Sequence, residues 1–491
     1  MHNDEAVNAI RLGDSWSGKN HRYDPEEHHG PSLYYISAAV ARLAGVRSSG
    51  DLGESILRLT PALCGVAAVL LLGLLRDGLG RAATMAAAIL TAISPAMVFH
   101  SRNYIHEMSL ACFTLLALAG AWRYFRSGNP RWAVVAGLGL GLMHATKETF
   151  VLCLAAAAAA VVLTVLMSGG TPALRRLPGS IKPAHLALAA MAALVVSCLL
   201  FTSFFTNWSG PLDSVRTYLP WLKRAAGESP HIHPWYFYLE RLLWFRRPGG
   251  TLWTEGIILL LGLAGCVAAL RDRLPGTVDV RLARFLAIYT LSLTAIYSLI
   301  AYKTPWCLLG FLHGWILLAG IGTASVFSVC RTPVAKTAAA IPLLAATAHL
   351  AWQSWQLNFI CPADSRSPLV YAQTAPDFLR LPDQIDRLLS VHPDGENMRV
   401  KVIAPAGDYW PLPYYLRRMT RVGWFDELPD DPYAPVIVAA AQLHARLDER
   451  SEKKWLMVGL FEQRPGVFME LYVEANLWKK WIASRSAVGA G

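Results

Sequence analysis

The ionisable residues of this 491-residue chain gather in short polar stretches between long apolar runs, where acid–base or phosphate chemistry would find a protected site. Asp4 and Glu5 form an adjacent acidic pair ahead of the helical pattern AVNAIRLG. A carboxylate facing a poorly hydrated cavity can accept the proton of an attacking hydroxyl, because low dielectric raises its basicity. Asp is also a favoured helix cap, and the pair alone fits either role. Asp24-Pro25-Glu26-Glu27-His28-His29-Gly30-Pro31 sets acids and imidazoles beside turn residues. That set suits a divalent metal or a metal-bound phosphate; Pro and Gly equally make it a rigid polar turn.

Three further stretches share this character. In Ser101-Arg102-Asn103-Tyr104-Ile105-His106-Glu107 the planar fork of Arg102 matches a phosphate, and Glu107 opens an apolar run. Snorkelling by Arg and capping by Glu would give the same pattern. Lys147-Glu148 is either a self-neutralising ion pair or a point charge for a phosphate leaving group with an acid beside it. Tyr302-Lys303-Thr304-Pro305-Trp306 repeats the theme. Segment 207–250 is rich in Trp, Tyr and Arg, which suits a sugar-stacking platform or an interfacial aromatic belt. Ionisable groups at membrane depth need partners or water, and a functional cavity supplies both.

The elements that must position these residues are membrane spans. Charged residues make up 16% of the chain, against about a quarter in soluble proteins. Apolar runs long enough for spans, or nearly so, cover about ten segments: 55–75, 82–99, 107–125, 132–146, 149–167, 184–206, 252–270, 284–301, 306–328 and 337–356. Lys and Arg are about twice as dense in the loops around 76–81, 122–131, 168–183, 271–284 and 329–336 as on the other face, which makes that set cytoplasmic. The net charge of +11 therefore reflects topology, and nucleic acid is not an expected partner. Asp4, His28, His29, Arg102, Glu107, Lys147, Lys303 and Trp306 then share the outer face.

Residues 1–54 read as a first outer loop in which 31–46 is an interfacial helix, 55–356 as the bundle, and 357–491 as a soluble extracytoplasmic domain. Within that domain 399–404, 434–440, 455–461 and 467–473 have strand patterns, and helical patterns lie near 376–390, 411–419 and 441–448, giving a small α/β unit. It has no Gly-rich phosphate loop. The eight cysteines lie mostly inside apolar runs without CxxC spacing and read as buried apolar residues. No signal peptide pattern precedes Asp4, so an outer N-terminal loop implies a further span upstream of Met1 in the natural protein.

These motifs together resemble the GT-C superfamily of polytopic glycosyltransferases. The resemblance rests on His2-x-Asp4-Glu5-Ala6, Asp24-Pro25-Glu26-x-His28-His29-Gly30-Pro31, Ser94-Pro95, Ser101-Arg102-x-Tyr104-x-x-Glu107, Lys147-Glu148 and Tyr302-Lys303-x-Pro305-Trp306. It extends to Asp408-Tyr409-Trp410-Pro411-x-Pro413-Tyr414-Tyr415-Leu416-Arg417 and covers nearly the whole chain. The chain is similar to the dolichyl-phosphate-mannose protein mannosyltransferases and to bacterial aminoarabinose transferase, and most of all to the branch named for an archaeal protein associated with lipid-linked oligosaccharide flippase activity.

The resemblance implies a mainly α, GT-C-like transmembrane bundle with a small C-terminal extracytoplasmic α/β domain, in the cell membrane with its active face outward. It implies transfer of a sugar from a polyprenyl-phosphate donor to a protein, lipid or glycan acceptor, with inversion. The catalytic residues expected are Asp4, Glu5 and Glu107, and the donor phosphate falls to Arg102, Lys147 and Lys303. His28, His29, Tyr104, His106, Glu148 and Trp306 are expected to line the substrate pocket. No nucleotide cofactor is implied, and a divalent metal stays open. The alternative is a non-catalytic, flippase-associated or transport protein for lipid-linked glycans. Inverted repeats and broken midplane helices would mark that case, and the sequence has neither.

Overall fold

Leu and Ala dominate the apolar runs, and both are strong helix formers. In the computed structural model, which describes residues 1–16, 22–27, 29–180, 182–226 and 231–488, these runs are helices. Seven of the described helices are long and apolar enough to cross a bilayer: Glu54–Leu79, Glu107–Ser127, Phe150–Arg175, Pro183–Phe201, Val280–Leu299, Pro305–Val329 and Pro333–Ile360.

Three more of the ten expected segments are shorter helices. Arg81–Ile93, Pro130–His144 and Gly256–Leu270 have 13, 15 and 15 residues. At 1.5 Å per residue each rises about 20 Å, short of a hydrocarbon core of about 30 Å. The run 82–99 is cut where Pro95 lacks an N–H. Ser94 caps the next helix by accepting from the Met97 amide at 3.3 Å, and its hydroxyl donates to Glu255.

Small residues let the spans close on one another. The Gly256–Leu270 helix meets Leu309–Val329 so tightly that a Cβ on Gly265 would lie 2.1 Å from the Leu318 carbonyl oxygen. The Pro305–Val329 span is largely buried, whereas Pro333–Ile360 turns nearly all of its surface outward.

Two helices lead into the first span α3 (Glu54–Leu71): α1 (Asn3–Trp16) and α2 (Ser32–Leu43). Ala6, Ala9 and Leu12 of α1 pack against Leu33, Leu52, Leu57 and Tyr414. Tyr414 belongs to the C-terminal unit, so α1 is held between bundle and sheet.

That unit is a five-stranded sheet in the order β2-β1-β3-β5-β4, with β1 Val400–Ile403, β2 Val422–Phe425, β3 Val436–Ala440, β4 Trp455–Arg464 and β5 Val467–Glu474. β1 runs parallel to both β2 and β3, aligning Val400 with Val422 and Val436. β5 is antiparallel to β3 and β4. Phe378, Leu381, Ile385, Val402, Val438 and Leu471 are fully buried in its core. The four-residue β2 and the final helix Ala475–Val488 were not apparent in the sequence pattern.

Candidate active site

A cavity of about 310 Å³ lies where α1 meets three interhelical loops and the helix ends around 297–307. α1 contributes Asp4, Val7 and Asn8; the loop before α2 contributes Glu27 and His29. His106 and Glu107 come from the start of the Glu107–Ser127 span, Lys147 and Glu148 from the loop after Pro130–His144, and Trp306 from the far side. Residues from loops distant in the chain thus converge on one hollow.

Backbone stitching fixes the loops against each other. The Gly30 amide donates to the Thr146 carbonyl at 3.1 Å, and the Ser32 amide to the Ala145 carbonyl at 2.8 Å. A Cβ on Gly30 would sit 2.3 Å from the Ala145 oxygen, so only glycine permits this approach. The contact sets His29 beside Glu148, and Nδ1 of His29 donates to Oε2 of Glu148 at 3.0 Å. The His106 ring lies edge-on to His29 at 5.2 Å, and its Nε2–H donates to the Gly30 carbonyl at 3.1 Å.

Lys147 donates from Nζ to Oε1 of Glu107, and both side chains are 6% exposed. Burial opposes the Lys147 charge, but Glu107, with Cys307 and Glu148, outweighs it and holds the ammonium well above the ordinary lysine range. Burial alone would raise the Glu148 carboxyl; His29 and Lys147 reverse this and hold it down at about 2. Burial, aided by the charges of His29 and Lys147, keeps His106 well below the usual imidazole range.

Asp4 differs from the other acids. Its side chain is 54% exposed, and the nearest basic side chain is His2, with Nδ1 at 3.9 Å. The Asp4 amide donates to that same nitrogen at 3.1 Å, while Nε2–H of His2 donates to the Tyr371 carbonyl at 2.7 Å. His2 is therefore the neutral Nε2–H tautomer, and the Asp4 carboxylate keeps its acceptor capacity for a ligand.

The sequence expectations divide here. The cavity collects Asp4, His29, His106, Glu107, Lys147, Glu148 and Trp306. Glu5 is not among its lining residues: it is 1% exposed and both oxygens are saturated, by Nε and Nη2 of Arg58 at 2.8 and 2.9 Å and by the amides of Tyr104 and His2 at 2.8 Å. Burial would raise its carboxyl, yet Arg58, with the Met1 ammonium and the His2 amide, holds it at about 2, which suits a structural anion rather than a base. Tyr104 is fully buried in the packing around α1 and contributes its amide, not its ring, to this region.

Two phosphate candidates also lie elsewhere. Arg102 donates to the Asn358 carbonyl and stacks over Phe359 at 4.4 Å, and it does not line the cavity. Lys303 is 1% exposed, its ammonium turned to the carbonyls of Ile300 and His233. His28 lies outside the described residues. No group of three or more metal-type ligands occurs among the described residues. Glu27, Asn8, Trp221, Tyr297 and Tyr302 line the cavity without having been singled out as site residues. The signal for Tyr297 was a phenol inside an otherwise apolar run.

Comparison with known proteins agrees with this architecture. Residues 28–201 match the family model described as dolichyl-phosphate-mannose-protein mannosyltransferase. No curated protein matches the chain. Among solved structures it resembles ArnT from Cupriavidus metallidurans bound to undecaprenyl phosphate, at 14% identity and TM-score 0.63, covering 96% of this chain and 94% of that one. The apo state of the same enzyme gives 15% identity and TM-score 0.61 with the same coverage. The apo oligosaccharyltransferase of Archaeoglobus fulgidus gives 15% and 0.53, over 86% of this chain and 60% of that one. At these identities the likeness is one of fold.

The class defined by the fold is a multi-pass membrane protein whose architecture is similar to that of ArnT. Over residues 28–201 the chain is similar to the family described as dolichyl-phosphate-mannose-protein mannosyltransferase.

Proposed function

We propose that the protein transfers a sugar from a polyprenyl-phosphate donor to a hydroxyl acceptor on a protein, lipid or glycan, at the outer face of the membrane. The observation that carries the reading is the cavity itself, which joins an uncommitted carboxylate, Asp4, to a buried cation, Lys147. ArnT, whose fold is similar over nearly its whole length, is described with undecaprenyl phosphate bound.

In this reaction the acceptor oxygen forms a bond to the anomeric carbon as the bond from that carbon to the phosphate oxygen breaks. The polyprenyl phosphate leaves with the electron pair, and Asp4 takes the hydroxyl proton. One displacement inverts the anomeric centre. Lys147 stabilises the charge that grows on the phosphate. The lining residues include four carboxylates, Asp4, Glu27, Glu107 and Glu148, against one lysine. An arriving phosphate must therefore compete with Glu107 for Lys147. Glu107 acts as the resident counter-ion that keeps Lys147 charged while the site is empty. The Glu148–His29 pair and Trp306 shape the sugar side.

The test uses the purified full chain in nanodiscs with a panel of undecaprenyl- and dolichyl-phosphate sugars, reading release of polyprenyl phosphate with candidate acceptors. Asp4→Asn is expected to cut turnover at least about 100-fold, the lower end of what a general base contributes, with donor binding retained. Full turnover in Asp4→Asn would remove the proposed base. Binding without release, across the panel and for the unaltered chain, would favour the non-catalytic glycan-handling role.

A further inference from the structure

We infer that Tyr415, in the C-terminal sheet unit, is a positioning residue for Asp4, acting through a hydrogen-bonded chain of Glu54, Arg58 and Glu5. The inference rests on the proposed role of Asp4 and assigns a part in it to a domain that contributes no lining residue to the cavity.

The chain is continuous. The Tyr415 hydroxyl donates to Oε1 of Glu54 at 2.8 Å. The other oxygen of Glu54 takes Nη1 of Arg58 at 2.9 Å. The remaining nitrogens of that guanidinium, Nε and Nη2, grip the two oxygens of Glu5. Glu5 in turn accepts the amides of His2 and Tyr104, each at 2.8 Å. Asp4 lies between His2 and Glu5 in the first turn of α1, and Tyr104 lies three residues before Glu107. Glu5 therefore ties the helix carrying Asp4 to the loop carrying Glu107, and the planar fork of Arg58 fixes the angle between them.

The same domain also holds the two residues ahead of α1 and the loop ahead of α3. Tyr371 accepts from Nε2 of His2, and Gln373 forms an antiparallel bridge with His2. Thr374 donates to the Met1 carbonyl, and Tyr414 donates to the Leu52 carbonyl at 2.9 Å. Tyr415 is the one of these that enters the charged chain. The sheet unit has its own buried core, so removing one hydroxyl leaves its packing intact. A carboxylate displaced by about an ångström suffices to lose one to two orders of magnitude in rate.

The experiment compares Tyr415→Phe with Glu54→Met, which cuts the same link from its other end, in the full chain in nanodiscs. Expected for both are a roughly tenfold fall in kcat, an unchanged KM for the donor that supports turnover, and faster amide exchange over residues 3–12 with β1 and β3 unchanged. A purely structural role would lower the amount of folded protein and leave kcat per folded molecule intact. Unchanged kcat and unchanged α1 exchange in both variants, beside an inactive Asp4→Asn, would overturn the inference and leave the proposed function standing. An Asp4→Asn variant with full turnover would overturn the proposed role of Asp4 as base instead, and α1 exchange would still decide whether Tyr415 holds the helix.

Discussion

The Lys147 ammonium and the Glu107 carboxylate form a buried ion pair across two interhelical loops, forty residues apart in sequence. The pair is nearly closed to solvent yet both residues line the cavity, so a phosphate that enters it meets Lys147 beside its resident counter-ion. Its two halves should respond oppositely to substitution. Glu107→Gln leaves the lysine charge uncompensated and should bind undecaprenyl phosphate about tenfold more tightly, while lowering stability by about 3–5 kcal/mol as expected for half of a buried pair. Lys147→Met should weaken binding by a similar factor. Quenching of tryptophan fluorescence, with Trp306 and Trp221 in the cavity wall, reads both.

Arg102→Gln is expected to change undecaprenyl phosphate affinity less than about twofold. Its guanidinium is engaged by the Asn358 carbonyl and the Phe359 ring, away from the cavity. The same titration checks this, and a large loss would move the phosphate site to the 100–106 loop.

Gly30→Ala should destabilise the protein by about 1–3 kcal/mol, the usual penalty of forced overpacking. The added Cβ meets the Ala145 carbonyl, pushing the two loops apart and separating His29 from Glu148. Thermal unfolding measures the loss, and restored stability in a Gly30→Ala chain with unchanged turnover would show the stitch to be dispensable.

Acid should destabilise the chain through Glu5 and Glu148. Both carboxyls sit at about 2 in the folded protein against an ordinary value of 4.5. Their contribution is complete above pH 4.5 and is lost as pH falls toward 2, up to about 3 kcal/mol for each buried group. His106, held neutral by burial, adds a loss that begins as pH drops below 6.5. Unfolding curves from pH 7 to 3 should show this decline, and the Glu5→Gln/Arg58→Met double variant should flatten its lower part.

The sequence made the spans, the sheet unit and much of the cavity legible for one reason. An ionisable residue at the end of an apolar run is conspicuous, and Glu107, Lys147 and Glu148 all stand out in this way. Residue type reveals capacity but not direction. Lys303 looks identical to Lys147 in sequence, yet the fold turns it onto carbonyls. Glu5 follows Asp4 directly, and consecutive helical residues point about 100° apart, so the two acids could not share one face. Tyr297 stayed hidden because aromatics are ordinary in membrane spans. Three runs counted as spans are short helices whose limits depend on Pro95 and on tertiary packing, which periodicity does not encode.

The most direct measurement is a cryo-EM map of the chain in nanodiscs saturated with undecaprenyl phosphate. The phosphate is expected within about 4 Å of Lys147 Nζ, at ion-pair distance, with Glu107 displaced and Asp4 facing the open side of the cavity. Phosphate density at Arg102 or Lys303, with the Lys147–Glu107 pair unbroken, would contradict that placement of the donor.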